Sequence, residues 1–322
     1  MKIFGSSLER QLWVGLAFAG SMLSQPPNLD QVQMQVEHVQ GRVYLMAGAG
    51  GNTAVQVGSD GVLIVDTQFA SQAQKLMTEI RKLNQGPVLF IVNTHFHPDH
   101  VGGNAALAQM IGAGASGPFG RVDGGAPLKI IAHENVLNRL TRRVPGQPAF
   151  PDEGLPVDEY FTPFKDLHMN GEAVFLYHEP NAHTDGDSIV LFRGSDVVVT
   201  GDLFTPGAYP FLDVDHGGSV QGEIAGLNHI LDLTVPTKTQ EAGTYVIPGH
   251  GRICDEADVV EFRDMVVIIR DRIQDMMRRN MTLDQIQAAR PTRDYDTEYV
   301  TVDSFVKANQ FVKAIYRSLT KK

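Results

Sequence analysis

A short segment of this chain carries four side chains of the kinds that bind metal ions. The segment is Thr94-His95-Phe96-His97-Pro98-Asp99-His100, in which three histidines and one aspartate fall within six residues. Neutral imidazole suits zinc, and a neighbouring carboxylate suits zinc, iron or manganese. These side chains can surround two neighbouring metal ions, so the segment is predicted to be a metal site, and a polar loop at the end of a strand is the alternative.

Four further candidate residues lie beside predicted strands elsewhere in the chain. His183 comes directly before one predicted strand, whereas Asp202 and His250 each follow one. Asp66 follows the apolar run Val62-Leu63-Ile64-Val65. Loops at strand ends can present reactive side chains from a rigid scaffold, so each of these residues is a candidate ligand or supports one.

The elements that position these residues follow from the hydrophobic pattern. The continuous apolar run 88–92 predicts a strand buried on both faces, and the metal-binding segment begins just past its C-terminal end, where open α/β sheets place ligands. Both strand-rich halves end in ligand-bearing loops, which predicts two sheets stacked between outer helices. The predicted strands are 43–46, 53–57, 62–66, 88–92, 129–132, 166–169, 173–177, 188–192, 196–200 and 245–247, and the main predicted helices are 71–83, 134–143, 220–233, 261–279, 282–289 and 302–319.

Taken in order, these motifs resemble the metallo-β-lactamase superfamily. The matching motifs are His95-x-His97-x-Asp99-His100, then His183, Asp202 and His250, with Asp66 as the preceding strand-end aspartate. The resemblance covers residues 43–251, roughly two-thirds of the chain. It implies an α/β fold, an αββα sandwich with a two-metal site between the sheets. We expect this domain to span 26–254, with C-terminal helices at 255–322 packed on the same domain.

The resemblance also implies a ligand set and a mechanism. It assigns seven side chains to two ions: His95, His97 and His183 to the first, Asp99, His100 and His250 to the second, and Asp202 to both. We expect two zinc ions, with iron or manganese as alternatives. Two ions about 3.5–4 Å apart can share a water and lower its pKa, giving a bridging hydroxide that attacks a carbonyl.

Three residues are predicted to assist this reaction. Asp99 is the expected catalytic residue, orienting the hydroxide and taking up a proton. Asp66 is expected to accept a hydrogen bond from a ligand loop, and a simple turn carboxylate is the alternative. Tyr209 is a possible substrate contact that would donate to an oxyanion, and aromatic packing in the core is the alternative.

Asp202 narrows the expected activity. Many β-lactamases of the superfamily have a cysteine or a non-ligating serine at the position of Asp202. An aspartate at this position instead resembles thioesterases of the glyoxalase II type, lactonases and nucleases of the superfamily. We therefore predict an enzyme, a di-zinc hydrolase acting on a carbonyl of a small molecule: an ester, lactone, thioester or cyclic amide. The alternatives are a β-lactamase, a phosphodiesterase or nuclease, a di-iron redox protein and a non-catalytic exported metal-binding protein.

Composition limits the partners. The chain has 322 residues, of which 43% are hydrophobic, and its formal net charge is −10. This acidic balance argues against nucleic acid as a partner, because phosphate backbones need basic surfaces. The single cysteine, Cys254, excludes an intrachain disulfide and is interpreted as a half-buried thiol near a helix start.

Three segments are predicted from composition alone. Residues 1–25 combine positive charge, a short apolar stretch and small residues, which predicts a signal peptide and a periplasmic or secreted protein, with the cytoplasm as the alternative. No later segment is apolar for long enough to span a membrane. The Gly112–Ala126 and Pro145–Pro156 segments are predicted to be loops that form a lid over the site.

Overall fold

The computed structural model of the protein describes residues 29–114, 128–236, 243–300 and 305–321. The predicted signal peptide at 1–25 lies outside these ranges, as does most of the Gly112–Ala126 loop. The signal peptide, the lid and the export of the protein therefore stay predictions.

The first sheet has six strands in sequential order. They are β1 (Gln35–Gln40), β2 (Val43–Ala47), β3 (Thr53–Val57), β4 (Val62–Val65), β5 (Val88–Val92) and β6 (Lys129–Ile131). Strands β1 to β4 pair antiparallel, whereas β4, β5 and β6 run parallel. All four residues of β4 are buried, so its unbroken apolar run reflects a strand covered on both faces.

The second sheet has five strands in the order β11-β10-β9-β8-β7. They are β7 (Phe164–Met169), β8 (Glu172–Glu179), β9 (Asp187–Phe192), β10 (Val197–Val199) and β11 (Tyr245–Ile247). The predicted hairpin turn Asn170-Gly171 joins β7 to β8, and both residues have positive φ, at 53° and 81°, as a type I′ turn requires. Strands β10 and β11 are parallel, and β9 is antiparallel to β10.

Helices cover the outer faces of both sheets. They are α1 (Ala73–Leu83), α2 (Pro98–Val101), α3 (Asn104–Gly114), α4 (Glu134–Thr141), α5 (Val220–Leu233), α6 (Glu256–Arg278), α7 (Leu283–Ala289), α8 (Asp296–Tyr299) and α9 (Ala308–Thr320). Apolar residues of α1 and α3 pack on the first sheet, and those of α5, α6 and α9 pack on the second. A separate apolar layer fills the space between the sheets. The predicted αββα sandwich with C-terminal helices is therefore confirmed.

Several element ends differ from those predicted. Helix α6 begins at Glu256, five residues earlier than expected, because Asp255 and Asp258 form a reciprocal capping box with the backbone of its first turn. Helix α3 continues through Gly114, into the segment that was predicted to be a loop. None of the helices in the described ranges combines the length and apolar character needed to traverse a bilayer.

Candidate metal centre

Four strand ends bring the predicted ligands to one edge of the sandwich. The segment 95–100 follows β5, and Asp202 and His250 follow the parallel strands β10 and β11. Because β9 is antiparallel to β10, His183, which precedes β9, reaches the same edge. Pro98 at the first position of α2 has the fixed φ that favours a helix start, and α2 then carries two of the candidate ligands in its first turn.

The first group of candidate ligands contains three histidines and one carboxylate. One ligand atom from each of His95, His97, His183 and Asp202 lies within 4.8 Å of all the others. The Nδ1 atom of His97 lies 2.9 Å from Nε2 of His183. The Oδ2 atom of Asp202 lies 3.8 Å from His183 Nε2 and 3.9 Å from His95 Nε2.

The second group contains Asp99, His100 and His250. Asp99 Oδ2 lies 3.2 Å from His250 Nε2 and 3.8 Å from His100 Nε2. The other oxygen of Asp202, Oδ1, lies 3.1 Å from His100 Nε2 and 3.5 Å from His250 Nε2. The two oxygens of Asp202 thus face different groups of ligands, as a bridging carboxylate would.

Unpartnered buried atoms show that the site suits cations. His95 Nε2, His100 Nε2 and Asp202 Oδ1 are buried and have no hydrogen-bond partner among the described residues. Leaving a buried polar atom unpaired costs about 1–3 kcal/mol, so such atoms are expected to bind a further group, such as an ion. Such atoms occur in both groups of candidate ligands, and their chemistry fits bound metal ions.

Two glycines allow the ligands to approach this closely. A Cβ atom at Gly249 would lie 2.0 Å from Oδ1 of Asp202, and one at Gly51 would lie 2.3 Å from Cε1 of His100. Contacts this short do not occur for real side chains, so both positions require glycine for the observed packing.

Asp66 supports the second group from behind. Its Oδ2 accepts hydrogen bonds from His100 Nδ1 at 2.7 Å and from Thr94 Oγ1 at 2.6 Å, and its Oδ1 accepts one from Thr94 N at 2.8 Å. The backbone of Asp66 has φ 61°, a left-handed conformation that is costly for most side chains but tolerated by Asp and Asn. Asp66 therefore orients His100, and the alternative of a simple turn carboxylate is not supported.

A loop after Asp202 supports the first group, and sequence reasoning missed its main residue. Asp213 Oδ2 accepts hydrogen bonds from His97 Nε2 at 3.0 Å and His216 Nδ1 at 2.8 Å. In the same loop, the carbonyl oxygen of Phe211 accepts a hydrogen bond from His183 Nδ1. The outward nitrogens of both histidines are therefore held, which fixes their tautomers and ring orientations.

The pKa shifts distinguish neutral from charged ligands in the metal-free site. Burial and, to a smaller extent, neighbouring histidines lower the pKa of His95 well below its ordinary value and that of His183 to about 4. Burial opposes ionisation of Asp99, but the charges of His100 and His250 prevail and lower its pKa to about 2. For His100, burial is outweighed by the carboxylates of Asp202 and Asp99, which raise its pKa well above the ordinary value.

The structure does not bring Tyr209 to the centre. This residue is 1% exposed, and its hydroxyl donates hydrogen bonds to the carbonyl oxygen of Thr292 at 3.2 Å and to Asp296 Oδ1 at 3.0 Å. Its ring stacks on Tyr299 and Phe311, with centroids 5.5 and 5.1 Å away. The structure therefore places Tyr209 in the core, as the packing alternative predicts, and not where it could contact a substrate at the centre.

Cys254 also differs from the interpretation made for it. Its side chain is buried rather than half-buried, at 3% exposure. The residue forms an isolated β-bridge with Val246 of β11, and burial raises the pKa of its thiol above the ordinary range. An uncharged, buried thiol here is a packing element.

Known proteins resemble this chain in sequence and fold. The family model described as "Metallo-beta-lactamase superfamily" matches residues 47–118, which include the segment 95–100. A linear primary-alkylsulfatase from Pseudomonas sp. (strain ATCC 19151) is 47% identical over 51 residues, which are 16% of this chain and 10% of that protein.

Two solved structures share the fold at low sequence identity. The stereoselective inverting sec-alkylsulfatase Pisa1 from Pseudomonas sp. has a TM-score of 0.63 at 16% identity, over 88% of this chain and 50% of that one. The DIM-1 metallo-β-lactamase has a TM-score of 0.55 at 18% identity, over 74% of this chain and 99% of that one. This chain therefore spans about half of the alkylsulfatase structure. The family match over residues 47–118 and the αββα fold together confirm the predicted resemblance to the metallo-β-lactamase superfamily.

Proposed function

We propose that this protein is a metal-dependent hydrolase that holds two divalent cations at the candidate centre. One observation carries the proposal: the two oxygens of Asp202 face separate groups of candidate ligands, and atoms of both groups lack other partners. The seven predicted ligands would hold the pair, with zinc as the expected metal and iron or manganese as alternatives.

A bound metal pair would lower the pKa of a shared water and polarise the oxygen of the substrate. The chain contributes Asp99, whose side chain is 22% exposed and lies next to His250, which is 30% exposed. These are the two most open ligands, so substrate approaches from their side. The low pKa of Asp99 keeps its carboxylate ionised, so that it can accept a hydrogen bond from the attacking water and orient it.

The leading substrate class is a carbonyl compound of small size: an ester, lactone, thioester or cyclic amide. Among the described residues, two arginines near the ligand-bearing loops are already neutralised, because Arg139 pairs with Asp185 and Arg252 pairs with Asp258. A substrate with a full negative charge beside its reacting bond would bind more tightly if an unpaired arginine lay near the centre. This observation favours a neutral carbonyl over an anionic ester.

Sulfate esters are the second candidate. The curated relative and one fold relative are named as alkylsulfatases, and the latter aligns with 88% of this chain. Phe211 and Phe305 are 38% and 41% exposed, and their rings contact each other at 5.2 Å. Phe211 also lies 5.7 Å from the ring of His97, so an alkyl chain beside the centre would find an apolar surface.

A hydrolysis panel tests the proposal. The protein, loaded with two equivalents of zinc, is offered lactones, thioesters, aryl esters, β-lactams, bis-aryl phosphodiesters and linear alkyl sulfates. We expect the protein to hydrolyse at least one carbonyl substrate. A chelator should abolish this activity, and added zinc should restore it. Failure to bind zinc, iron or manganese, or no turnover of any class, would contradict the proposal.

Asp99→Asn is the control for the site. It keeps the shape of the side chain but removes the proton acceptor, so the rate should fall by roughly 10²-fold or more. Metal content is measured alongside, because Asp99 is also a candidate ligand. Full activity in this variant would refute the proposed role of Asp99.

A further inference from the structure

The two ligand groups are supported by different parts of the molecule. We define the supporting loop as residues 209–219, between Asp202 and helix α5. This loop supplies Asp213 to His97 and the carbonyl oxygen of Phe211 to His183. His100 of the second group is instead held by Asp66, at the end of β4. The first group thus depends on a loop, and the second depends on a central strand.

The C-terminal segment holds one end of the supporting loop. Tyr209 donates hydrogen bonds to Thr292 and Asp296, and its ring lies between those of Tyr299 and Phe311. Tyr209, Tyr299 and Phe311 are buried, so the two hydrogen bonds and the two ring contacts fix the start of the loop firmly.

Helix α9 and the residue after it hold the other end. Arg317 forms an ion pair with Asp215, two residues after Asp213. Lys321 Nζ donates a hydrogen bond to the carbonyl oxygen of Val214 at 2.8 Å. The backbone N–H of Val220 donates to Ser318 Oγ at 3.0 Å, just past the loop. The stretch after Asp213 is therefore tied to the end of the chain at α9, and Tyr209 ties the stretch before it to the C-terminal segment.

We infer that the C-terminal helices position His97 and His183 through the supporting loop, and so set the affinity of the first metal position but not of the second. This inference rests on the proposed binding of two metal ions. The helices contribute no ligand of their own to the predicted set. Residues such as Tyr209, Asp215 and Arg317 act here as positioning residues.

The test compares Tyr209→Phe, Arg317→Ala and the double variant with the unchanged protein. Tyr209→Phe keeps the ring stacking but removes both hydrogen bonds, so the fold should persist. Stepwise zinc dissociation constants are measured by competition with a chromophoric chelator. Direct partners of metal ligands change affinity by about 10–100-fold, so these more remote changes should weaken one constant by up to about tenfold in the double variant.

Histidine ring nitrogen spectra of the ¹⁵N-labelled, zinc-loaded protein show which position weakens. His97 presents Nδ1 to the centre, whereas His95, His100 and His183 present Nε2. The signals of His97 and His183 should change in the double variant, and those of His100 and His250 should stay. Arg317→Lys should restore the unchanged spectrum, because it keeps the charge opposite Asp215.

Arg263→Ala is the matched control. Arg263 also joins α6 to a neighbouring helix, through Asn228 of α5 at 2.6 Å, but its described contacts include neither the supporting loop nor the residues that hold it. It should leave both zinc constants unchanged. Equal weakening of both constants, no weakening of either, or changed signals of His100 would overturn the inference. A wild-type protein that does not bind two zinc ions would contradict the proposed function itself.

Discussion

Replacing Asp66 by asparagine tests how strongly a residue outside the ligand set controls the second metal position. Asp66 accepts three hydrogen bonds, from His100 Nδ1, Thr94 Oγ1 and Thr94 N, and is 1% exposed. Asparagine has the same shape and also tolerates the positive φ of this position. The substitution therefore changes the charge and one acceptor, and leaves the backbone undisturbed.

The expected loss of zinc affinity follows from the three hydrogen-bond donors that face Asp66. If the amide oxygen of asparagine faces His100 and Thr94 Oγ1, its NH₂ group must face the N–H of Thr94, where two donors meet. If the amide turns over, His100 loses its acceptor instead. A hydrogen bond to a charged group contributes about 1.5–3 kcal/mol, which corresponds to about 10–100-fold in affinity for the second ion.

Chelator competition and thermal unfolding separate the effects of this substitution. In this variant we expect weaker zinc binding at the group of Asp99, His100 and His250. The zinc dissociation constant of the first group should change by less than about threefold. Unfolding of the metal-free variant checks that the domain persists. Unchanged zinc constants in a folded Asp66→Asn protein would show that Asp66 does not control His100, and the reasoning would fail.

Three further predictions concern the centre and its surroundings. Gly249→Ala should reduce binding of both zinc ions, because the new Cβ would collide with Oδ1 of Asp202, and equilibrium dialysis with metal analysis measures this. Zinc affinity should fall as the pH is lowered, because the raised pKa of His100 in the metal-free protein makes protons compete with metal, and calorimetry in buffers of different ionisation enthalpy should detect proton release on binding. Burial and the neighbouring His178 lower the pKa of His133 from 6.5 to about 4, so the unfolded chain binds a proton that the folded chain does not. Stability of the metal-free protein should therefore fall by about 1–3 kcal/mol as the pH drops from about 6.5 to 4. His133→Asn keeps a side chain that can cap helix α4 and should reduce this pH dependence in denaturant unfolding, and an unaltered dependence would assign it to other groups.

The ligand-bearing loops could be predicted because their signals are local. Three histidines and an aspartate in the segment 95–100 follow a strand whose apolar run is visible in the sequence. Asp202 and His250 sit at the ends of similar runs, and parallel strands bring such ends to the same edge. The structure brings these residues together, and their role as ligands stays a prediction until metal is measured.

Residues whose role depends on distant packing could not be predicted. Asp213 looks like any loop carboxylate in the sequence, and only the path of the loop places it against His97. Tyr209 lies in the same loop, and its ring points into the core because Tyr299 and Phe311, far along the chain, come to lie beside it. Spacing in one segment carries no information on such contacts between segments.

The four carboxylates around the centre should make an unstrained amide an unfavourable substrate. Asp99 and Asp202 would reduce the charge of two bound dications from +4 to +2, and Asp66 and Asp213 add negative charge behind His100 and His97. Such surroundings hold cations firmly, but they weaken the pull of each cation on a substrate oxygen, since the field of an ion is offset by nearby anions. The centre should therefore hydrolyse substrates with good leaving groups, such as thioesters and aryl esters, faster than unstrained amides. A series of aryl esters with leaving groups of decreasing acidity tests this: the rate should fall steeply along the series, and a flat response in the chemical step would show that the carboxylates do not limit the centre.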